Sequence, residues 1–178
     1  MVLILVIFCI PTGCSSNREK NALGKFQNNP RVQFVAATIP GYALGTYGSA
    51  KTRGKSWLNP IQNGDPSLTW TLRATGQPDQ FVIQSTNSPD FTYLGWQGGL
   101  VQNGPLQCKT MGPGGNISMN DQWTVAPNGV DANNQPLYLI SCAGAPRFTL
   151  NYDGNYSVQG SEPLPVTAAS EWYIILNH

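Results

Sequence analysis

The chain has 178 residues, of which 40% are apolar and only 11% charged, and ten Lys and Arg against nine Asp and Glu leave a net charge of +1. A typical globular chain is about 25% charged. The polar surface must therefore come from Asn, Gln, Ser, Thr and Gly, and the basic stripe of a nucleic-acid binder is missing. The only His is His178, at the end of the sequence. A Ser-His-Asp or Cys-His arrangement needs an imidazole held by its neighbours, and a zinc site needs clustered His and Cys. The sequence is read as a non-enzyme without metal or cofactor.

In chain order, Val2–Ile10 comes first, an unbroken apolar run. It is far shorter than the roughly 20 residues of a membrane span and matches the apolar core of an export signal. Residues 1–16 are therefore expected to direct secretion to the cell exterior. The segment Thr12-Gly13-Cys14-Ser15-Ser16 resembles a bacterial lipobox, with Pro11 where that pattern has Leu or a similar residue. The resemblance implies lipidation of Cys14 and an outer-membrane anchor, the only membrane contact expected. Residues 17–30 are polar and without period, as in a flexible tether. A domain is expected over residues 31–178.

Nineteen Gly and fourteen Pro, spread along the chain, punctuate short strand-like runs such as Phe81-Val82-Ile83-Gln84. No stretch sustains the i, i+3, i+4, i+7 spacing of a helix, so the domain is expected to be all-β. The basic cluster Lys51, Arg53 and Lys55 reads as a solvated loop. Cys108 and Cys142 remain once the export segment is set aside. In an oxidising compartment they are expected to form a disulfide, and two separate buried thiols are the alternative.

A repeat runs through the domain. Trp70, Trp123 and Trp172 lie 53 and 49 residues apart, each between a polar residue and, two positions on, an aliphatic one. Upstream of each lie an apolar strand, a Pro-containing turn (Ile39-Pro40-Gly41, Ser88-Pro89-Asp90, Ala145-Pro146-Arg147) and a second strand anchored by Leu44, Leu94 or Leu150. The strand starts align Phe34 with Phe81 and Leu137. A unit of about 50 residues cannot bury its own apolar face, whereas three packed around an axis can. The three Trp and three Leu are the expected common core.

This pattern over residues 31–178 resembles the β-trefoil fold and, within it, the ricin-B-type lectin domains. The family's Gln two residues before each Trp is replaced here by Leu68, Asp121 and Ser170. The resemblance implies binding of glycans or glycoconjugates in shallow pockets, where an aromatic ring stacks on the sugar's C–H face and acids or amides meet its hydroxyls. Carried over by position, unit two offers Asp90 as acceptor, Trp96 as platform, and Gln97 and Asn103 as orienting amides. Unit three offers Tyr152, Asp153 and Asn155. Trp57 is a further exposed aromatic candidate. The Gly13–Ser16 start and the frame Trp123-Thr124-Val125-Ala126-Pro127 resemble the lectin-like subunits of cytolethal distending toxin, which implies host-cell attachment beside partner toxin subunits. Trefoils also serve as secreted protease inhibitors. In that alternative an exposed loop, Ala50–Gly64 or Gly104–Gly115, would enter an enzyme cleft.

Overall fold

A computed structural model describes residues 24–46, 56–62, 65–86, 92–111, 115–155, 158–161 and 168–177. The export segment, Cys14, the Lys51–Lys55 cluster, Asp90 and His178 lie outside the described residues. Among the described residues, twelve strands build the domain. In unit 1 they are β1 (Arg31–Ala36), β2 (Tyr42–Thr46), β3 (Ser56–Pro60) and β4 (Trp70–Ala74). Unit 2 comprises β5 (Gln80–Ser85), β6 (Thr92–Trp96), β7 (Gly104–Thr110) and β8 (Trp123–Val130). Unit 3 comprises β9 (Pro136–Cys142), β10 (Ala145–Tyr152), β11 (Val158–Ser161) and β12 (Glu171–Leu176).

Six of these strands close on themselves. β1 pairs with β4, β4 with β5, β5 with β8, β8 with β9, β9 with β12 and β12 with β1, all antiparallel. A closed ring leaves no open edge for another chain to extend. The remaining strands form three hairpins, β2–β3, β6–β7 and β10–β11. These meet one another through β3, β7 and β11, as expected of a cap over one end of a barrel.

The registers obey a threefold rule. Trp70 faces Val32, Trp123 faces Phe81 and Trp172 faces Tyr138. Each indole is fully buried, and each donates its Nε1–H to the carbonyl of the anchoring leucine of its unit. The distances are 2.8 Å from Trp70 to Leu44, 3.1 Å from Trp123 to Leu94 and 3.0 Å from Trp172 to Leu150. A buried polar group left unpaired costs about 1–3 kcal/mol, so the indole fills the core with its own N–H satisfied. A 3-10 turn precedes each Trp strand, at Pro66–Leu68, Met119–Asp121 and Ala168–Ser170. Asp65 and Ser118 cap the first two by accepting the N–H two residues on. The expected all-β trefoil of three units is the architecture found.

Four expectations change. The strand register places Val32, Phe81 and Tyr138 at equivalent positions, so the sequence alignment of Phe34, Phe81 and Leu137 is slipped by two residues in unit 1 and by one in unit 3. The domain begins before residue 31, because Phe26 is fully buried with its ring edge-on to Phe81 (6.4 Å) and Tyr138 (5.6 Å). Cys108 and Cys142 are both buried and unbridged. Cys108 sits opposite Leu94 and Cys142 opposite Trp123, each at an inward position of its own ladder, and the Cys142 thiol donates to the Asn120 carbonyl at 3.3 Å. Lastly, much of the two loops considered for protease inhibition is strand: Ser56–Pro60 is β3 and Gly104–Thr110 is β7. β3 pairs with β2, and β7 with both β6 and β11, while residues 50–55, 63–64 and 112–114 of these loops lie outside the described residues.

Candidate functional site

Trp96 is the largest departure from the expected site. It is 3% exposed and lies in the core, stacked on Trp123 (centroids 6.4 Å apart, planes 13° apart) and edge-on to Phe148 (5.4 Å). It is therefore no sugar platform. The cause is a broken threefold. Leu58, Cys108 and Gly160 are equivalent, facing Leu44, Leu94 and Leu150. Where units 1 and 2 place a side chain, unit 3 has Gly160, and a β-carbon there would overlap the Trp96 indole. The indole fills space that unit 3 leaves vacant. Its Nε1 lacks the carbonyl partner that the other three core tryptophans have and lies beside the Cys142 thiol.

The other predicted residues of unit 2 lie at the hairpin tip. Gln97 and Asn103 are exposed at the two ends of the β6–β7 loop. The loop turns through Gly98 and Gly99, both with positive φ, and closes with the Gln97 N–H on the Pro105 carbonyl at 2.9 Å. Asn103 itself takes φ +54, a left-handed conformation that Asn tolerates better than most residues. In unit 3, Tyr152 ends β10 half-buried against the core, and Asp153 and Asn155 follow it exposed. Asp153 Oδ1 accepts the Asn155 N–H at 2.7 Å, an Asx turn that fixes the tip. The structure thus keeps Tyr152, Asp153 and Asn155 together on one tip and Gln97 and Asn103 on another. Trp57 is half-buried on β3 opposite Gly45.

One polar cluster without a sequence expectation stands at the base of the unit 2 hairpin. Asp121, at the position of the family's missing Gln, is 4% exposed. Its Oδ1 accepts the Trp96 N–H at 2.9 Å and its Oδ2 pairs with the Lys109 ammonium. Lys109 also lies 5.9 Å from the Tyr93 ring, and burial raises the Tyr93 pKa. Gly95 leaves room for the carboxylate, since a β-carbon there would strike Asp121. The only sequence signal is an acid two residues before a core Trp. The arrangement locks hairpin to 3-10 turn and offers the carboxylate little access to solvent. On the outside of the barrel, backbone donation from Gln135 leads the causes that hold Asp131 below the usual carboxylate range. Asp131 also accepts the Tyr173 hydroxyl at 2.8 Å and thereby raises the tyrosine's pKa.

Searches for a matching family model or a curated relative returned none. Solved structures do match. A designed threefold-symmetric protein, ThreeFoil, superposes with TM-score 0.65 at 12% identity, over 82% of this chain and 97% of the other. The Rhizoctonia solani agglutinin gives 0.63 at 17% identity, over 84% and 96%. A ricin B-like lectin from Macrolepiota procera, solved with lactose, gives 0.59 at 16% identity, over 83% and 95%. The chain has the β-trefoil fold that these proteins share. At these identities the likeness concerns architecture, and the side chains must speak for the site.

Proposed function

We propose that the protein is an exported carbohydrate-binding module that engages glycans through its hairpin tips, chiefly that of unit 3. The observation that carries this reading is the constellation Tyr152-Asp153-Asn155. An aromatic ring anchored on the core, a carboxylate and an amide stand within four residues on one turn fixed by its own hydrogen bond. Those three groups are what a saccharide needs, a face for its C–H bonds and acceptors and donors for its hydroxyls. The fold supports the reading, because the superposable Macrolepiota procera lectin was solved with lactose. Gln97 and Asn103 mark the second candidate tip, and Asp90 lies outside the described residues. Export rests on the apolar run Val2–Ile10, and anchoring rests on Cys14. Attachment to host cells beside toxin subunits is the finer form of the same proposal, resting on the Gly13–Ser16 and Trp123–Pro127 likeness.

A glycan array with the full chain tests it. Wild type is expected to retain at least one glycan class, and Tyr152→Ala or Asp153→Ala to weaken that retention tenfold or more. Retention of no glycan, or equal retention by both variants, would refute the proposed tip.

A further inference from the structure

We infer a second saccharide site, away from the hairpin tips, in the lateral cleft where unit 1 meets units 2 and 3. The class of ligand rests on the carbohydrate-binding reading above; the location does not.

The cleft encloses about 540 Å³. The same feature occurs at a second junction. A smaller cleft of about 380 Å³ occupies the same place one unit on. The registers that align Val32 with Phe81 and Leu58 with Cys108 make Gln33 the counterpart of Val82 and Ile61 that of Met111. By the same rule Thr69 corresponds to Gln122, and Asn177 to Thr75. The junction thus creates a hollow by construction, and the side chains decide what it holds.

The two copies have diverged in chemistry. In unit 2 the wall carries Val82, Met111 and Ile117 beside Arg73 and Thr75, and Gln122 spends its amide on the Ile117 carbonyl at 2.9 Å. Unit 1 instead presents Gln33, Gln62, Asn177, Thr69, Arg31 and Asp65. Thr69, being short, opens the floor, and its hydroxyl accepts the Asn177 amide at 3.2 Å, which sets that side chain in place. The same bond recurs at the third junction, where the Asn128 amide donates to Glu171 at 2.8 Å. Amides and hydroxyls that both donate and accept suit a polyol. Ile61, 37% exposed, and Leu176 offer apolar surface for a sugar's C–H face. One guanidinium and one carboxylate leave the wall without net charge, so the ligand is an uncharged saccharide. The volume lies in the range of about 300–1,000 Å³ typical of small-ligand clefts. Paired strands β1 and β12 form its back.

The experiment uses the full chain, labelled on its Ile and Leu methyls, titrated by NMR with lactose and with the neutral glycan that the array retains best. The Ile61 and Leu176 methyls are expected to shift saturably with at least one of these in wild type and in Tyr152→Ala. Gln33→Val combined with Asn177→Thr installs the residues that unit 2 already accommodates at these positions. It should weaken the shift tenfold or more, with an unchanged near-ultraviolet signal from the buried tryptophans reporting an intact fold. Raising salt from about 0.05 to about 0.5 M should leave the affinity within twofold, since no ion pair is involved. Silent cleft methyls beside normal array retention would overturn the cleft and leave the hairpin-tip reading standing. Retention of no glycan would overturn both. Retention confined to acidic glycans and abolished by salt would overturn the uncharged class.

Discussion

Gly160 and Trp96 form one packing unit split between two hairpins, and neither can change alone. Alanine at 160 would drive its β-carbon into the indole. Overpacking of this kind costs about 1–3 kcal/mol. Removing the indole with Trp96→Ala opens a cavity against Trp123 and Phe148 and should cost about 3–5 kcal/mol. The combined Trp96→Thr and Gly160→Leu variant restores the small-plus-leucine pattern of unit 1. It should unfold in urea at a higher denaturant concentration than additivity of the two single variants would give. Additive losses would mean that the two positions do not share a cavity. Cys108 supplies a test in pH. Burial pushes its thiol up to about 12, well above the value of an exposed cysteine. A folded pKa above the unfolded one means that the neutral thiol is favoured by folding. That contribution is complete below about pH 9 and is lost as pH climbs toward 12. Urea midpoints of wild type should therefore fall over that window more steeply than those of Cys108→Ala. Iodoacetamide at pH 8 should leave Cys108 and Cys142 unmodified in folded protein, as read by peptide mass spectrometry.

Hairpins and turns depend on contacts that sequence pattern conveys unevenly. The Trp strands are legible because an indole next to alternating apolar residues, repeated three times, fits little besides a shared core. The Leu anchors are legible for the same reason. The first strand of each unit is not, since Phe34-Val35-Ala36 and Phe81-Val82-Ile83 are apolar on both faces and carry no period to fix their register. Phe26 is hidden in a polar stretch, and nothing local marks a lone aromatic as core. Trp96 reads as a rim residue because the space it fills belongs to Gly160, 64 residues away in the chain. Asp121 is the element-scale case. One carboxylate joins the 3-10 turn to β6 through the Trp96 N–H and to β7 through Lys109. Breaking a buried pair costs about 3–5 kcal/mol, and with Lys109 a third exposed the lower end or less applies. Asp121→Ala should lose about 2–3 kcal/mol by urea unfolding. Asp121→Asn, which keeps an oxygen for the Trp96 N–H, should lose about 1 kcal/mol. Equal losses in the two variants would show that the ion pair, rather than the backbone contact, holds the hairpin.

At the scale of the whole molecule, three units that are individually too small to fold share one barrel, and every unit contributes an indole to its centre. Such a structure should unfold in a single step, because no unit keeps a core once its neighbours leave. Phe26 enters this assembly from outside the threefold. It belongs to no unit, yet its ring closes on Phe81 of unit 2 and Tyr138 of unit 3, the residues facing Trp123 and Trp172. Lys25 covers the same spot with its ammonium 5.0 Å from the Phe26 ring and 5.3 Å from that of Tyr138. Losing a buried aromatic costs about 3–5 kcal/mol, and for a domain of this size each kcal/mol moves the melting temperature by about 2–4 °C. Phe26→Ala should therefore melt about 6–20 °C below wild type, still in one transition. A chain beginning at Gly24 should match wild type, whereas one beginning at Arg31 should behave like Phe26→Ala. If the Arg31 chain melts with wild type, the ring is an ornament on the barrel and the domain starts where the repeat does. If it melts in two steps, the single core is wrong.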